Sequence, residues 1–183
     1  MGVPSSLNIE RVPGVLIKNP TNLALPPYYG GTVLGAARGC DVDFMDRPSV
    51  NYLEEYKGAP GDALEGPEWC VLYAALREFT SDSIRAIFPK SHAGATGEVI
   101  DGSVSASPRA GTRRSARSYV LLYAPNEYTQ PGLLIYNAMP IIVEGNRTAF
   151  SVLHEQVLSV SWMSMPDATK RTYKFGPVGD MVL

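Results

Sequence analysis

The chain has 183 residues, a formal net charge of -2, 45% apolar residues and 19% charged ones. That length suits one domain, the near-neutral balance argues against a surface dedicated to wrapping nucleic acid, and no apolar stretch approaches the roughly 20 residues that span a bilayer. Charge content below the usual quarter leaves more surface for burial against partners, as an assembling protein needs.

Residues 1–8 carry neither the basic start nor the apolar run of a secretory signal, so the expected setting is a cytoplasm. Residues 1–27 are rich in Pro and Asn, with one predicted strand at 14–18. Residues 28–32 (YYGGT) read as a tight turn. A strand then starts at 32–35, and 40–45 alternates, with Val42 and Phe44 opposite Asp41 and Asp43. Residues 47–67 hold three prolines and three glycines, and are expected as a first long loop excursion.

Residues 67–79 are predicted as the main helix. Pro67 suits a first helical position, and Trp69, Leu72, Leu76 and Phe79 recur at helical spacing. Thr80 or Ser81 caps a short second turn that Pro89 stops. Residues 90–116, rich in Gly, Ser and Ala, form a second expected excursion. Predicted strands follow at 118–124, 133–136, 138–143, 149–154, 157–163 and 172–175. In the fifth of these, Leu158, Val160 and Trp162 mark a buried face, and Ser159, Ser161 and Ser164 are assigned to a small, neutral wet face. The expected fold is mainly β: a β-sandwich or half-barrel with one packed α-helix and two long loops, in a single domain over 1–183.

Few residues invite chemistry. His92 and His154 are not accompanied by a GxSxG elbow. Asp41, Asp43 and Asp46 fail the spacing of a calcium loop, and two of them read as the wet face of a strand. Gly30, Gly31 and Gly35 lack the lysine or the spacing of phosphate loops. Cys40 and Cys70 are too few for a metal knuckle and read as two buried small side chains. No cofactor and no catalytic residue is assigned.

Charge is segregated instead. Between 41 and 68 the acids outnumber Arg47 and Lys57 by eight to two, whereas the second excursion ends in Arg109, Arg113, Arg114 and Arg117. Opposite excursions on a nearly neutral body suit a head-to-tail contact between copies. Tyr52, Glu54, Glu55 and Tyr56 on one side and the four arginines on the other are the candidate contact residues.

Residues 29–35 (YGGTVLG), 72–89 (LYAALREFTSDSIRAIFP), 117–125, 133–140 and 150–175 together resemble the tail tube proteins of long-tailed bacteriophages. The order is similar too: early strands, a long loop, a helix, a Gly-rich loop and a closing run of strands. The resemblance implies a non-enzymatic virion protein, assembled in the host cytoplasm into hexameric rings that stack into a tail tube. Viral DNA and tape-measure protein would pass through the lumen, and sheath, terminator and baseplate proteins are further implied partners. On this sequence, 47–67 would be the inter-ring loop, 67–79 an outer brace, and 118–124 and 157–164 core and lumen faces. No extended acidic strand face lines the implied bore. The expected route of assembly is pairing of sheet margins left open in one copy with the backbone of the next. The polymer reading rests on that pairing, and a barrel whose margins are already satisfied within its own chain removes this ground for it. Two rival readings are another particle protein (terminator, head–tail connector, decoration or baseplate protein) and a hydrolase or carbohydrate-binding β-sandwich using Tyr28, Tyr29, Tyr52 and Tyr56.

Overall fold

The computed structural model describes residues 13–24, 29–46, 49–53, 59–64, 68–77, 80–88, 91–93, 98–100, 118–126, 130–141 and 158–183. In chain order the elements are β1 (Gly14–Lys18), β2 (Thr32–Met45), β3 (Ser49–Leu53), β4 (Ala59–Leu64), β5 (Trp69–Leu76), α1 (Ser81–Ile87), β6 (Ser91–Ala93), β7 (Glu98–Ile100), β8 (Tyr119–Pro125), β9 (Pro131–Ile141), β10 (Leu158–Ser164) and β11 (Tyr173–Pro177).

Six strands, in the order β10-β5-β2-β1-β8-β9, form a ring of antiparallel pairs that closes where β10 meets β9. The fold is therefore mainly β with one α-helix among the described residues, and the expected half-barrel is a closed barrel. Two features allow closure. The first is β2, 14 residues long, which serves β1 with its first half and β5 with its second. Its register shifts twice, and Gly35 sits at φ 148°, a value that favours glycine and bends the strand at a bulge. The second is β9, whose one edge pairs with β8 while its other edge is shared: residues 131–135 pair with β11 and 138–141 with β10. The bonds Met165 N–H to Asn137 O and Tyr136 N–H to Thr172 O bridge the step between the two partners.

Alternation sorts side chains into two cores. Leu16, Leu34, Cys40, Cys70, Leu72, Leu76, Tyr119, Leu121, Leu133, Ile135, Val160 and Trp162 fill the barrel. Ile17, Leu122, Ala124, Leu134 and Tyr136 point outward from β1, β8 and β9, and are covered by Leu23, Tyr29, Val178 and Met181. This second layer explains why both faces of β8 and β9 are apolar. Each large aliphatic side chain so buried contributes about 1.5–3 kcal/mol.

The helix predicted at 67–79 is a strand. Residues 69–76 (WCVLYAAL) are apolar at nearly every position, so a helical subset is there by coincidence. The period that governs burial is two: Cys70, Leu72, Ala74 and Leu76 line the barrel, while β5 lies between β2 and β10. The actual helix is the predicted second turn. In α1 the Ser83 N–H donates to Thr80 Oγ1 and the Thr80 N–H donates to Ser83 Oγ, a reciprocal cap. Seven residues make a marginal helix alone. Ile87 anchors it in the barrel core, and α1 closes one end of the barrel rather than bracing its outside.

Much of the excursion at 47–67, expected as loop, is the antiparallel β3–β4 hairpin. Met45 faces Trp69 at the end of the β2–β5 ladder and Ser49 faces Leu64 at the start of β3–β4, a separate two-stranded arm inserted in the chain between β2 and β5. Within 90–116, β6 and β7 pair as a short hairpin. The strand predicted at 149–154 lies outside the described residues. The serine face predicted on β10 is also corrected. Ser164 shares the inward row with Leu158, Val160 and Trp162, and its Oγ accepts from the Cys70 N–H at 2.7 Å. Ser161 is fully buried and Ser159 half-buried.

Candidate assembly site

The barrel has two unlike ends. At one, α1 packs on the barrel and the Tyr119 hydroxyl donates to Ala86 O at 3.5 Å. From there β8 runs to the other end, where Tyr123 faces Leu133 and Leu133 faces Phe175. This second end is a mouth built by the last residues of β2, the first of β5, and the β10–β11 connection.

Three rings stand at the mouth. Phe44 lies 5.3 Å from Tyr173 and 5.5 Å from Phe175, centroid to centroid, inclined by 41° and 70°. Phe44 belongs to the inward row of β2, but it is 45% exposed because the strand runs past the barrel. Beside the rings is an open cleft of about 580 Å³ lined by Glu68, Trp69, Met163, Met165, Pro166 and Lys170, among others. Met45, opposite Trp69 at the end of the ladder, is 37% exposed.

Carboxylates gather on the β2–β5 side. Asp41, Asp43, Asp46 and Glu68 are all exposed. Partial burial and the Asp43 carboxylate, which accepts from its hydroxyl, raise the Tyr73 pKa. Tyr173 is raised in the same way by burial and then by the charge of Glu68, which accepts a hydrogen bond from its hydroxyl, with Cys70 and Asp46 adding to the effect. Asp41 and Asp43 thus form the wet face expected of them. Among the described residues no group of three His, Cys, Asp or Glu could hold a metal ion.

The floor of the cleft is held by the turn after β10. Asp167 Oδ1 accepts from the N–H groups of Thr169 and Arg171 and from the Thr169 hydroxyl, and Oδ2 accepts from Arg171 Nε at 2.9 Å. Desolvation pulls the Asp167 pKa up, but these bonds outweigh it and lower the value to about 2. Arg171 lies 4.0 Å over the Tyr136 ring, whose hydroxyl donates to Val182 O. Lys170, at φ 66°, is one of the residues that line the cleft.

The open margins tell against assembly by sheet pairing. The barrel strands find their partners within the chain, so the expected joining of barrel edges between copies is overturned. Among the described residues β11 pairs only with β9, and its free edge is short and carries Lys174 and Pro177, both of which discourage further pairing.

Of the predicted contact residues, Tyr52 lies on β3 opposite Pro60. Glu54, Glu55, Tyr56, Arg109, Arg113, Arg114 and Arg117 lie outside the described residues. Tyr29, offered as a glycan-binding aromatic, is buried in the second core. Sequence reasoning missed the mouth. Its one signal was Phe44, an aromatic at the end of an alternating run ending among acids. No helix of the described residues is long and apolar enough to cross a membrane. Compared with models of known protein families the chain matches none, and a search of curated proteins finds no match.

Proposed function

We propose that the chain is a structural subunit of a bacteriophage tail: the tube protein, stacking as rings around a conduit for viral DNA and tape-measure protein. It acts mechanically and not as an enzyme, and takes its place in the virion after assembly in the host cytoplasm. Six copies per ring, and contacts with sheath, terminator and baseplate proteins, are carried over from the resemblance. In this reading the β10–β5–β2 and β1–β8–β9 halves of the barrel act as the two faces of a sandwich.

The observation that supports the reading best is the β3–β4 arm. It is a separate hairpin inserted between the ends of β2 and β5, and in this reading it reaches a neighbouring ring. Assembly through the arm and through side-chain faces replaces the pairing of open barrel edges. Electron microscopy of the purified protein tests this. Rings and tubes are expected on concentration, and a protein that stays monomeric at every salt concentration overturns the reading. Rings that never stack favour a terminator or connector instead.

A further inference from the structure

We infer that the barrel mouth docks an arginine side chain from residues 109–117 of a second copy. This inference rests on the self-assembly reading above. Phe44 packs against Tyr173 and Phe175 yet stays 45% exposed, so aromatic surface at the rim of this cluster is open to a cation. Glu68 and Asp46 stand beside Tyr173, where they can pair with the charge. Trp69, Met163 and Met165 in the adjoining cleft offer apolar surface for the aliphatic stem. Lys170 on the cleft wall is one positive charge against those two carboxylates, so the site favours a cation.

The chain itself carries the complementary group. Residues 108–118 read PRAGTRRSARS, with four arginines and no acid. For Arg117 the placement favours a neighbour as the donor, because it stands only two residues before Tyr119, too close to span the length of β8. The segment leads into Tyr119, at the α1 end of β8, whereas the mouth lies at the opposite end of the barrel. A basic segment attached at one end and an aromatic, acidic mouth at the other make a head-to-tail contact, which repeats along one axis. Arginine suits the site better than lysine because its flat guanidinium stacks on a ring while pairing with a carboxylate.

The test is binding of a synthetic 108–118 peptide to dilute purified protein by calorimetry at low ionic strength. Saturable binding is expected, weakened at least about tenfold, or about 1.4 kcal/mol, by Phe44→Ala and separately by Glu68→Gln. Glu68→Gln keeps an acceptor for Tyr173 and guards against a loss that only reflects misfolding. Absence of saturable binding, or binding indifferent to both variants, overturns the docking. A peptide with all four arginines replaced by lysine should bind several-fold more weakly, and equal binding overturns the choice of arginine. Tubes that form although the peptide does not bind sink this inference and leave the tube reading standing. Peptide binding by a protein that never forms rings supports the docking and sinks the tube.

Discussion

The Trp162 indole donates to the Tyr119 hydroxyl at 2.7 Å, across a barrel in which β9 separates their strands. The same hydroxyl reaches Ala86 O on α1. One phenol thus ties two barrel strands to the helix that closes the barrel end. Tyr119→Phe leaves the buried indole N–H without this acceptor, and is expected to lower unfolding free energy by about 1–3 kcal/mol in urea. Trp162→Phe added to that variant should cost less than the two changes taken separately, because they share one bond.

Alkaline pH should weaken the fold. Burial raises the Cys70 pKa from 9.0 to about 11, against a smaller lowering by the Ser164 hydrogen bond, and the Tyr119 pKa from 10.0 to about 12, against the Trp162 bond. Cys40 is raised too, by burial and then by Asp41. Between the ordinary and the raised values the unfolded chain has released protons that the folded chain keeps. Stability is therefore full below about pH 9 and falls as pH rises beyond it. Denaturant midpoints at pH 7, 9 and 10.5 check the sign. Both thiols should resist a thiol reagent at pH 8 in the folded protein and react fully once it is unfolded.

At the acid end Asp167 contributes, its pKa lowered from 3.8 to about 2. Its contribution is present above pH 4 and is lost as pH falls toward 2. Asp167→Ala should lower the melting temperature at pH 7 and flatten that acid limb. A variant with an unchanged acid limb would show that the Arg171 and Thr169 bonds add nothing to the turn.

Several strands were legible in the sequence because one period sufficed. Residues 14–18, 119–125 and 158–164 alternate or run apolar, and each is a paired strand. Residues 69–76 were not legible, because a strand apolar on both faces satisfies helical and extended templates alike, and pairing with β2 and β10 decides between them. Ser164 misled for a related reason. A hydroxyl in the inward row looks solvated until the Cys70 N–H that it serves comes from 94 residues away. The mouth was out of reach because Phe44 meets Tyr173 and Phe175 only once β2 and β11 are both in register. Closure itself depends on bulges and shear, which alternation does not encode.

Deleting residues 52–61 should separate folding from assembly. The cut removes the outer part of the arm and leaves the Met45–Trp69 end of the β2–β5 ladder untouched. A melting temperature within a few degrees of the intact protein is expected, together with loss of tubes by electron microscopy. Collapse of the fold would mean that the hairpin belongs to the core.

The shared edge of β9 sets a timetable for the ribosome. Until residues 158–177 have been made, the outer margin of β5 and one whole margin of β9 lack the strands that will cover them. A nascent chain halted before that stretch presents two sticky borders, open to chaperones and to other unfinished chains, and synthesis of that one stretch removes both hazards together.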